Sequence, residues 1–285
     1  MQLTDEEFSL ISEVVFDLSG VVLDRTKGYL IEGRLTPVAM EAGCNSFQEL
    51  YSKIKQNGDR ILREKVVDAI TTHETLFFRD TSPFEALEHK IIPELLDRKA
   101  KKMDRRIRIW SAACSTGQEP FSVGMIFHKL LGVSKDWNIS ILGTDISSLA
   151  ISKASLGVYS DHEMDRGMKP EMKRDYFERV KEGWRIKDHI RAMVSFRKLN
   201  LLEPFQSLGK FDIVLCRNVA IYFTKEDRKS LFQRIREVLT EEGYLFTGSS
   251  EMLTDLGPEF RPQYHCRTVV YQPNLQDNSP RHSHT

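Results

Sequence analysis

The second half of this chain alternates short apolar runs with helical patterns, and this rhythm limits the fold more than any other feature. Five runs have the length of strands: residues 107–111, 139–143, 194–199, 211–216 and 244–248. Parallel strands need long crossover connections, usually helices, which cover both faces of the sheet. The alternation therefore predicts an α/β domain with a mainly parallel sheet.

Two departures from this rhythm indicate further elements. Segments 260–265 and 268–272 are too close together for a crossover helix, so we expect them to pair antiparallel. Residues 159–193 interrupt the alternation with charged residues and short apolar pieces, which predicts a small inserted β-subdomain. The polar tail, residues 274–285, is expected to be disordered.

The first 79 residues carry apolar side chains at helical spacing, for example Phe8, Ile11 and Val15. This pattern predicts an all-helical N-terminal domain over residues 1–79. A larger α/β domain then follows over residues 80–273.

Composition excludes several classes of protein. Forty-one basic and 41 acidic residues leave no net charge, which argues against wholesale binding of nucleic acid or adsorption to a membrane. The acidic start is unlike a signal peptide, and no apolar run approaches the roughly 20 residues of a membrane span. Four scattered cysteines suggest neither disulfides nor a metal site. We therefore expect a cytoplasmic protein.

Polar residues follow several predicted strands, at the edge of the sheet where open α/β sheets bind ligands. Small residues 113–117 form the turn before a helix expected to start near Gln118, and Glu119 would favour a ligand with ammonium or sulfonium charge over a pyrophosphate. Glu119 would equally complement the helix dipole. Asp145 could accept both hydroxyls of a ribose; alternatively, Asp145 or Ser147 could cap the next helix.

Other strand ends add to this edge, with Asn200 and Leu201 after one strand and Arg217 and Asn218 after another. Segment 72–80 places Arg79 beside two aromatic residues, Phe77 and Phe78, as in the wall of a pocket for a charged ligand. Core packing is the expected use of at least one of these aromatics. Together the segments predict a single ligand site.

Taken in order, segments 72–80, 110–120, 143–145, 200–202 and 216–223 resemble those of the CheR-type chemoreceptor glutamate methyltransferases. The resemblance spans about residues 8–272. It implies a Rossmann-like S-adenosylmethionine-dependent methyltransferase sheet, seven-stranded and ending in an antiparallel hairpin, with an all-α N-terminal domain. Two features differ from the family. His73 replaces an asparagine, and the second helix, which is often rich in arginine in the family, has only Arg25, Lys27 and Arg34 near it.

The resemblance also implies roles for particular residues. Arg79 and Tyr222 would face the substrate carboxylate as catalytic residues. The expected cofactor-binding residues are His73, Thr75, Arg79, Glu119, Asp145, Asn200, Leu201, Arg217 and Asn218.

The implied acceptor is a glutamate side chain on the cytoplasmic helices of chemoreceptors, and the implied methyl donor is S-adenosylmethionine. The enzyme is expected to be a monomer that inserts into no membrane and binds no nucleic acid. An ionised glutamate would need no general base. Phe77, Phe78 and Tyr222 would exclude water from the reaction.

The sequence also leaves three other functions to compare with this one. The chain could bind the cofactor as a signalling adaptor without turnover. It could methylate another acceptor, such as RNA or a small molecule, although its one dense basic stretch, residues 98–108, lacks interleaved aromatics and is expected to be a solvated connector. A nicotinamide oxidoreductase is disfavoured because the turn lacks G-x-G-x-x-G.

Overall fold

The computed structural model describes residues 1–57, 59–132, 136–253 and 258–275. The N-terminal part is helical, as predicted. Its helices are α1 Asp5–Ser19, α2 Gly28–Glu41, α3 Phe47–Asn57 and α4 Arg60–Ile70, with a 3₁₀ turn at Arg25–Lys27.

Local sequence explains these helix ends. The Thr4 hydroxyl and the Glu7 carboxylate form a capping box at the start of α1. Gly20 ends the helix with a φ of 74°, a left-handed conformation that glycine adopts without strain. The periodic apolar side chains, including Ile11, Val15 and Leu35, then pack into one buried core.

Glu7 also joins two helices of this part. Its carboxylate accepts the backbone N–H groups of Phe47 at 2.9 Å and Gln48 at 3.2 Å, in addition to the N–H and hydroxyl of Thr4. Burial raises the pKa of Glu7, but these hydrogen bonds outweigh burial and hold the pKa below its ordinary value. The carboxylate thus fixes the start of α3 against α1.

The following elements lead into the main sheet. Helix α5 Ser82–Ala86 continues through a π-helical turn, Leu87–Ile91, into α6 Ile92–Lys101. The first strands and helices of the α/β part are β1 Arg106–Ala112, α7 Gln118–Leu131, β2 Asn138–Asp145 and α8 Ser148–Leu156. The inserted segment then contains β3 Val158–Tyr159, α9 Asp161–Asp165, α10 Pro170–Tyr176, β4 Phe177–Val180, β5 Gly183–Ile186 and α11 Asp188–Arg191. The last part contains β6 Val194–Lys198, a 3₁₀ turn Gln206–Leu208, β7 Phe211–Cys216, a 3₁₀ turn Ala220–Tyr222, α12 Lys225–Val238, β8 Leu239–Thr247, β9 Phe260–His265 and β10 Thr268–Pro273.

Seven strands form the main sheet in the order β6-β2-β1-β7-β8-β10-β9. The first five are parallel, and β10 and β9 add an antiparallel hairpin at one edge. This arrangement confirms the predicted Rossmann-like α/β class. The strand order reverses between β1 and β7, the point where such sheets bind ligands.

Helices cover both faces of this sheet. Residues of α6 and α7 pack with Ile109 and Ile213 on one face, and residues of α12 pack with Trp110 and Val214 on the other. The central strand β7 is therefore buried along its whole length and β1 along most of it, which explains why the central strands appear in the sequence as largely apolar runs. The edge strands β6 and β9 are mostly exposed or half-buried.

The inserted segment forms the expected small sheet, with strand order β3-β5-β4 and antiparallel pairing. Its buried residues Tyr159 and Phe177 join a core with Phe121 of α7 and with Phe77. The insertion therefore packs against the segment just before α5. Its limits at 159 and 193, like the division at 79/80, stay predictions.

Two sequence interpretations need correction. Stretch 98–108 is a solvated connector only in its middle, residues 102–105, since its first residues end α6 and its last belong to β1. Its charges form ion pairs, such as Lys99 with the buried Asp212 at 3.0 Å. β8 also begins at Leu239, earlier than the predicted 244, because the chain already runs extended from the end of α12.

The prediction of a disordered tail over residues 274–285 is wrong for its first residue, Asn274. Asn274 donates hydrogen bonds to the carbonyls of Glu259 and Pro258. Residues 276–285 lie outside the described part of the chain. None of the helices that the structure does describe is long and apolar enough to span a membrane.

Candidate functional site

A deep cavity lies where the N-terminal helices meet the carboxyl edge of the main sheet. It encloses about 1190 Å³, including its open mouth, which is ample for a nucleoside-sized ligand. All ten residues predicted for the site line this one cavity: His73, Thr75, Arg79, Glu119, Asp145, Asn200, Leu201, Arg217, Asn218 and Tyr222.

The turn after β1 is held in an unusual backbone conformation. Ala113 and Ser115 have φ values of 57° and 50°, which residues other than glycine rarely adopt. Gly117 has a φ of 93°, and a Cβ there would lie 2.9 Å from the Cβ of Ala154. Such strain persists only where the surroundings enforce it, which is common at ligand sites.

Asp145, at the end of β2, is one of the groups that enforce this turn. Its carboxylate accepts the N–H of Ser115 at 2.8 Å and the N–H of Ser147 at 2.9 Å. Ser147, rather than Asp145, caps α8, by accepting the N–H of Ala150. Burial raises the pKa of Asp145, while the two amide hydrogen bonds and the nearby His73 oppose that rise.

Glu119 takes part in a buried ionic network. Its carboxylate accepts a hydrogen bond from Ser111 and lies 2.7 Å from the Arg217 guanidinium, which also pairs with Asp80 at 2.9 Å. The Arg217 side chain is only 2% exposed. Because one guanidinium serves two carboxylates, the three side chains carry one excess negative charge. Glu119 therefore does more than complement the dipole of α7.

Arg217 also donates to the backbone carbonyl of Arg79 at 3.0 Å. Its Nε has no hydrogen-bond partner among the described residues. The network thus ties the end of β7 and the start of α7 to segment 72–80.

Within segment 72–80 the two aromatics pack away from the cavity, which corrects the expectation that they line it. Phe77 is fully buried and makes edge-to-face contacts with Tyr159 and Phe177 of the inserted subdomain. Phe78 packs edge-to-face on Phe84 of α5. Core packing therefore accounts for both rings.

Arg79 faces the cavity instead. Its guanidinium donates to the carbonyl of Glu74 at 2.6 Å, and no carboxylate lies within 4 Å of it among the residues that the structure describes. Nearby, Ser115 donates its hydroxyl hydrogen bond to the carbonyl of His73 at 3.2 Å, and the His73 ring contacts Thr71. The cavity therefore contains a cation with unused donors.

Four more of the predicted residues line the cavity at the ends of β6 and β7: Asn200, Leu201, Asn218 and Tyr222. The Asn200 amide donates to the carbonyl of Leu18 at 3.4 Å, and Leu201 is largely buried. Asn218 has a left-handed φ of 57°. The carbonyl of Tyr222 accepts the N–H of Val22 at 2.9 Å, which joins this wall to the helical domain.

Sequence reasoning missed one wall completely. Val21, Val22, Leu23, Lys27 and Leu30 of the N-terminal domain also line the cavity. The signal was available, because the apolar run 21–23 stands in a link between helices, where a solvent-exposed loop would be polar.

The chemistry of the cavity suits an adenosyl ligand that carries an amino acid. A carboxylate at the end of the second strand matches ribose hydroxyls, the negative network matches a cationic centre, and Arg79 matches a carboxylate. Within the described part of the chain, no three potential metal ligands come together. Fold and cavity thus define a Rossmann-like enzyme domain with its ligand at the strand-order reversal.

Comparison with known proteins identifies the family. The model of the CheR methyltransferase all-alpha domain matches residues 6–71, and that of the CheR methyltransferase SAM-binding domain matches residues 73–267. The chain belongs to the CheR methyltransferase family and is an S-adenosylmethionine-dependent methyltransferase of chemotaxis.

Individual relatives match over nearly their whole length. Chemotaxis protein methyltransferase 1 of Pseudomonas aeruginosa is 41% identical over 278 residues, 95% of this chain and 99% of the relative. Chemotaxis protein methyltransferase Cher2 of Pseudomonas putida is 41% identical over 89% of this chain and 92% of the relative. The chemotaxis protein methyltransferase of Vibrio parahaemolyticus is 38% identical, over 90% of this chain and 93% of the relative.

The ionic network leads to a stability prediction. Arg217→Met leaves the buried Glu119 carboxylate without its cation, so it should lower the free energy of unfolding by about 3 kcal/mol. The double variant Arg217→Met/Glu119→Leu should be more stable than Arg217→Met alone, because no buried charge remains. Urea unfolding followed by circular dichroism measures both. A single variant within about 0.5 kcal/mol of the wild type would contradict the assigned importance of the network.

Proposed function

We propose that this enzyme transfers the methyl group of S-adenosylmethionine to the side-chain carboxylate of glutamates on the cytoplasmic helices of chemoreceptors. It would act in the cytoplasm, as a monomer, and form glutamyl methyl esters. The observation that carries the proposal is the open cavity in which Arg79, with no carboxylate partner among the described residues, faces the same space as Asp145. Family membership supports it.

The residues at the site fit an acceptor that needs no activation. A glutamate has a reference pKa of about 4.3 and is already ionised at neutral pH, so no general base is required. Burial raises the pKa of the Cys114 and Cys216 thiols well above the ordinary value, so both stay protonated and are poor nucleophiles. The acceptor carboxylate is then the nucleophile.

The cofactor side of the cavity would be formed by the turn and the strand ends. S-adenosylmethionine, when bound, supplies a methyl group on a positively charged sulfur. Asp145 would accept the ribose hydroxyls, and the excess negative charge around Glu119 would favour the cationic end of the ligand. His73, Thr75, Asn200, Leu201, Arg217 and Asn218 would complete this wall.

Arg79 and Tyr222 would form the acceptor side. The fork of the guanidinium can hold a carboxylate through two parallel hydrogen bonds, whether that carboxylate belongs to the acceptor or to the cofactor. Tyr222 would limit water at the reacting carboxylate, a role that Phe77 and Phe78 do not share because they are packed elsewhere.

The direct test is transfer of radiolabelled methyl to membranes that contain chemoreceptors, followed by mild base. Release of the label as methanol identifies a carboxyl methyl ester and supports the proposal. Binding of S-adenosylhomocysteine without transfer would indicate an adaptor instead. Base-stable label on RNA or a small molecule would indicate another acceptor.

Arg79→Ala should lower kcat/KM for methyl transfer about 100-fold, since charged hydrogen bonds are worth about 1.5–3 kcal/mol each. Thermal stability should hardly change, because the guanidinium makes only the bond to the Glu74 carbonyl within the described protein. Arg79→Lys should not restore activity, as an ammonium lacks the planar fork. Arg106→Ala, at the opposite end of β1, is the control, and near-normal turnover of Arg79→Ala would remove the residue from this role.

Affinity for S-adenosylhomocysteine should fall on acidification. Ribose hydroxyls donate to ionised Asp145, so protonation of this carboxyl, whose pKa burial has raised, removes the acceptor as the pH decreases. Calorimetry at a series of decreasing pH values, over the range in which the wild type stays folded, should show this decline. Asp145→Asn should bind at least about tenfold more weakly at neutral pH, with little pH dependence.

His73 lies close enough to Asp145 to act on its carboxylate, so it is the neighbour whose contribution has to be separated. His73→Asn removes the imidazole and introduces the residue usual in the family. If this variant loses the pH dependence while Asp145→Asn keeps it, then Asp145 is not the group responsible.

A further inference from the structure

We propose that Glu251, which lines no part of the cavity, is a positioning residue that holds the loop after β7 in its working shape. The inference rests on the proposed function, because it assigns the loop its purpose. Glu251 lies just beyond β8 and is 1% exposed. None of the sequence motifs includes it.

One carboxylate here collects four backbone N–H groups. Oε2 accepts from Asn218 at 2.6 Å and from Gly248 at 2.7 Å. Oε1 accepts from Val219 at 3.0 Å and from Ile221 at 3.3 Å. These bonds replace the strand partners that the loop lacks once β7 has ended, and they draw the loop against the end of β8.

Only glycine fits at position 248, beside the Glu251 carboxylate. A Cβ on Gly248 would lie 2.6 Å from Oε2 of Glu251 and 2.9 Å from Nδ2 of Asn218. Asn218 itself is held at a left-handed φ of 57°, a conformation that costs free energy and needs support. Glu251 and Gly248 together therefore hold the loop in a strained shape.

The loop matters because of the side chains that it carries into the cavity. Asn218, Val219 and Tyr222 all line the cavity. Asn218 and Val219 carry two of the amides that Glu251 binds, and Tyr222 directly follows a third, that of Ile221. In the proposed function Asn218 belongs to the cofactor side and Tyr222 to the acceptor side. The turn 113–117 and Asp145 are held by other contacts, so loss of Glu251 should disturb the acceptor side more than cofactor affinity.

Only a carboxylate suits this position. It offers two oxygens with about four acceptor sites, whereas a glutamine offers one oxygen and turns an NH₂ donor towards N–H groups. Glu251→Gln is therefore nearly isosteric but mismatched to two of its partners. Glu7→Gln is the matched control, since Glu7 also joins separate segments through backbone N–H groups and does not line the cavity.

The experiment compares both variants with the full-length wild type well below their unfolding temperatures. Glu251→Gln should lower kcat at least about tenfold while the Kd for S-adenosylhomocysteine changes no more than about threefold. Amide hydrogen exchange of residues 218–221 should accelerate. Glu7→Gln should lose thermal stability but keep its kcat and its exchange at 218–221.

Other results would overturn the inference. A folded Glu251→Gln variant with wild-type kcat, or with unchanged exchange at 218–221, shows that the contacts do not position the loop. If Glu251→Gln does not fold, Glu251→Asp replaces it, which keeps the charge on a side chain shorter by one methylene. If the wild type itself transfers no methyl group, the proposed function fails, and hydrogen exchange alone then decides whether Glu251 holds the loop.

Discussion

The site depends most on the contacts of the buried Arg217 guanidinium. The guanidinium binds Glu119 at the start of α7, Asp80 and the carbonyl of Arg79, so it joins three segments that are far apart in the sequence. A buried arginine is costly unless its hydrogen bonds are satisfied, and here two carboxylates and one carbonyl bind its two terminal nitrogens. As a result, the segment that presents Arg79 to the cavity is fixed to the sheet rather than left as a free loop.

Two further carboxylates also hold loops in place, but they accept hydrogen bonds from backbone amides instead of pairing with a cation. Asp145 holds the turn after β1 through the Ser115 amide, and Glu251 holds the loop after β7 through four amides. Both segments contain non-glycine residues with positive φ. Loops beyond the strand ends contain amides without a strand partner, so acidic side chains that accept from these amides can stabilise shapes that would otherwise relax.

The sequence predicted what depends on local pattern. Strands such as β7 were placed because burial on both faces leaves a continuous apolar run, and residues at strand ends, such as Asp145 and Asn218, were expected to share one cavity because parallel strand ends meet at one edge. Prediction from the sequence failed where the role of a side chain depended on partners far away in the chain. Phe77 points into the inserted subdomain, and Glu251 binds amides about 30 residues earlier in the chain, which no spacing rule detects.

The wall contributed by the helical domain follows from backbone contacts as much as from side chains. The N–H of Val22 bonds to the carbonyl of Tyr222, and Gly20 approaches so closely that a Cβ would lie 2.3 Å from Leu202. Asp68 accepts the hydroxyl of Ser147, beside Asp145. Each of these contacts ends at a residue of the site or next to one. The shape of the cavity is therefore a property of the two domains together, and a change in how the helices dock would alter the acceptor side and the cofactor side at once.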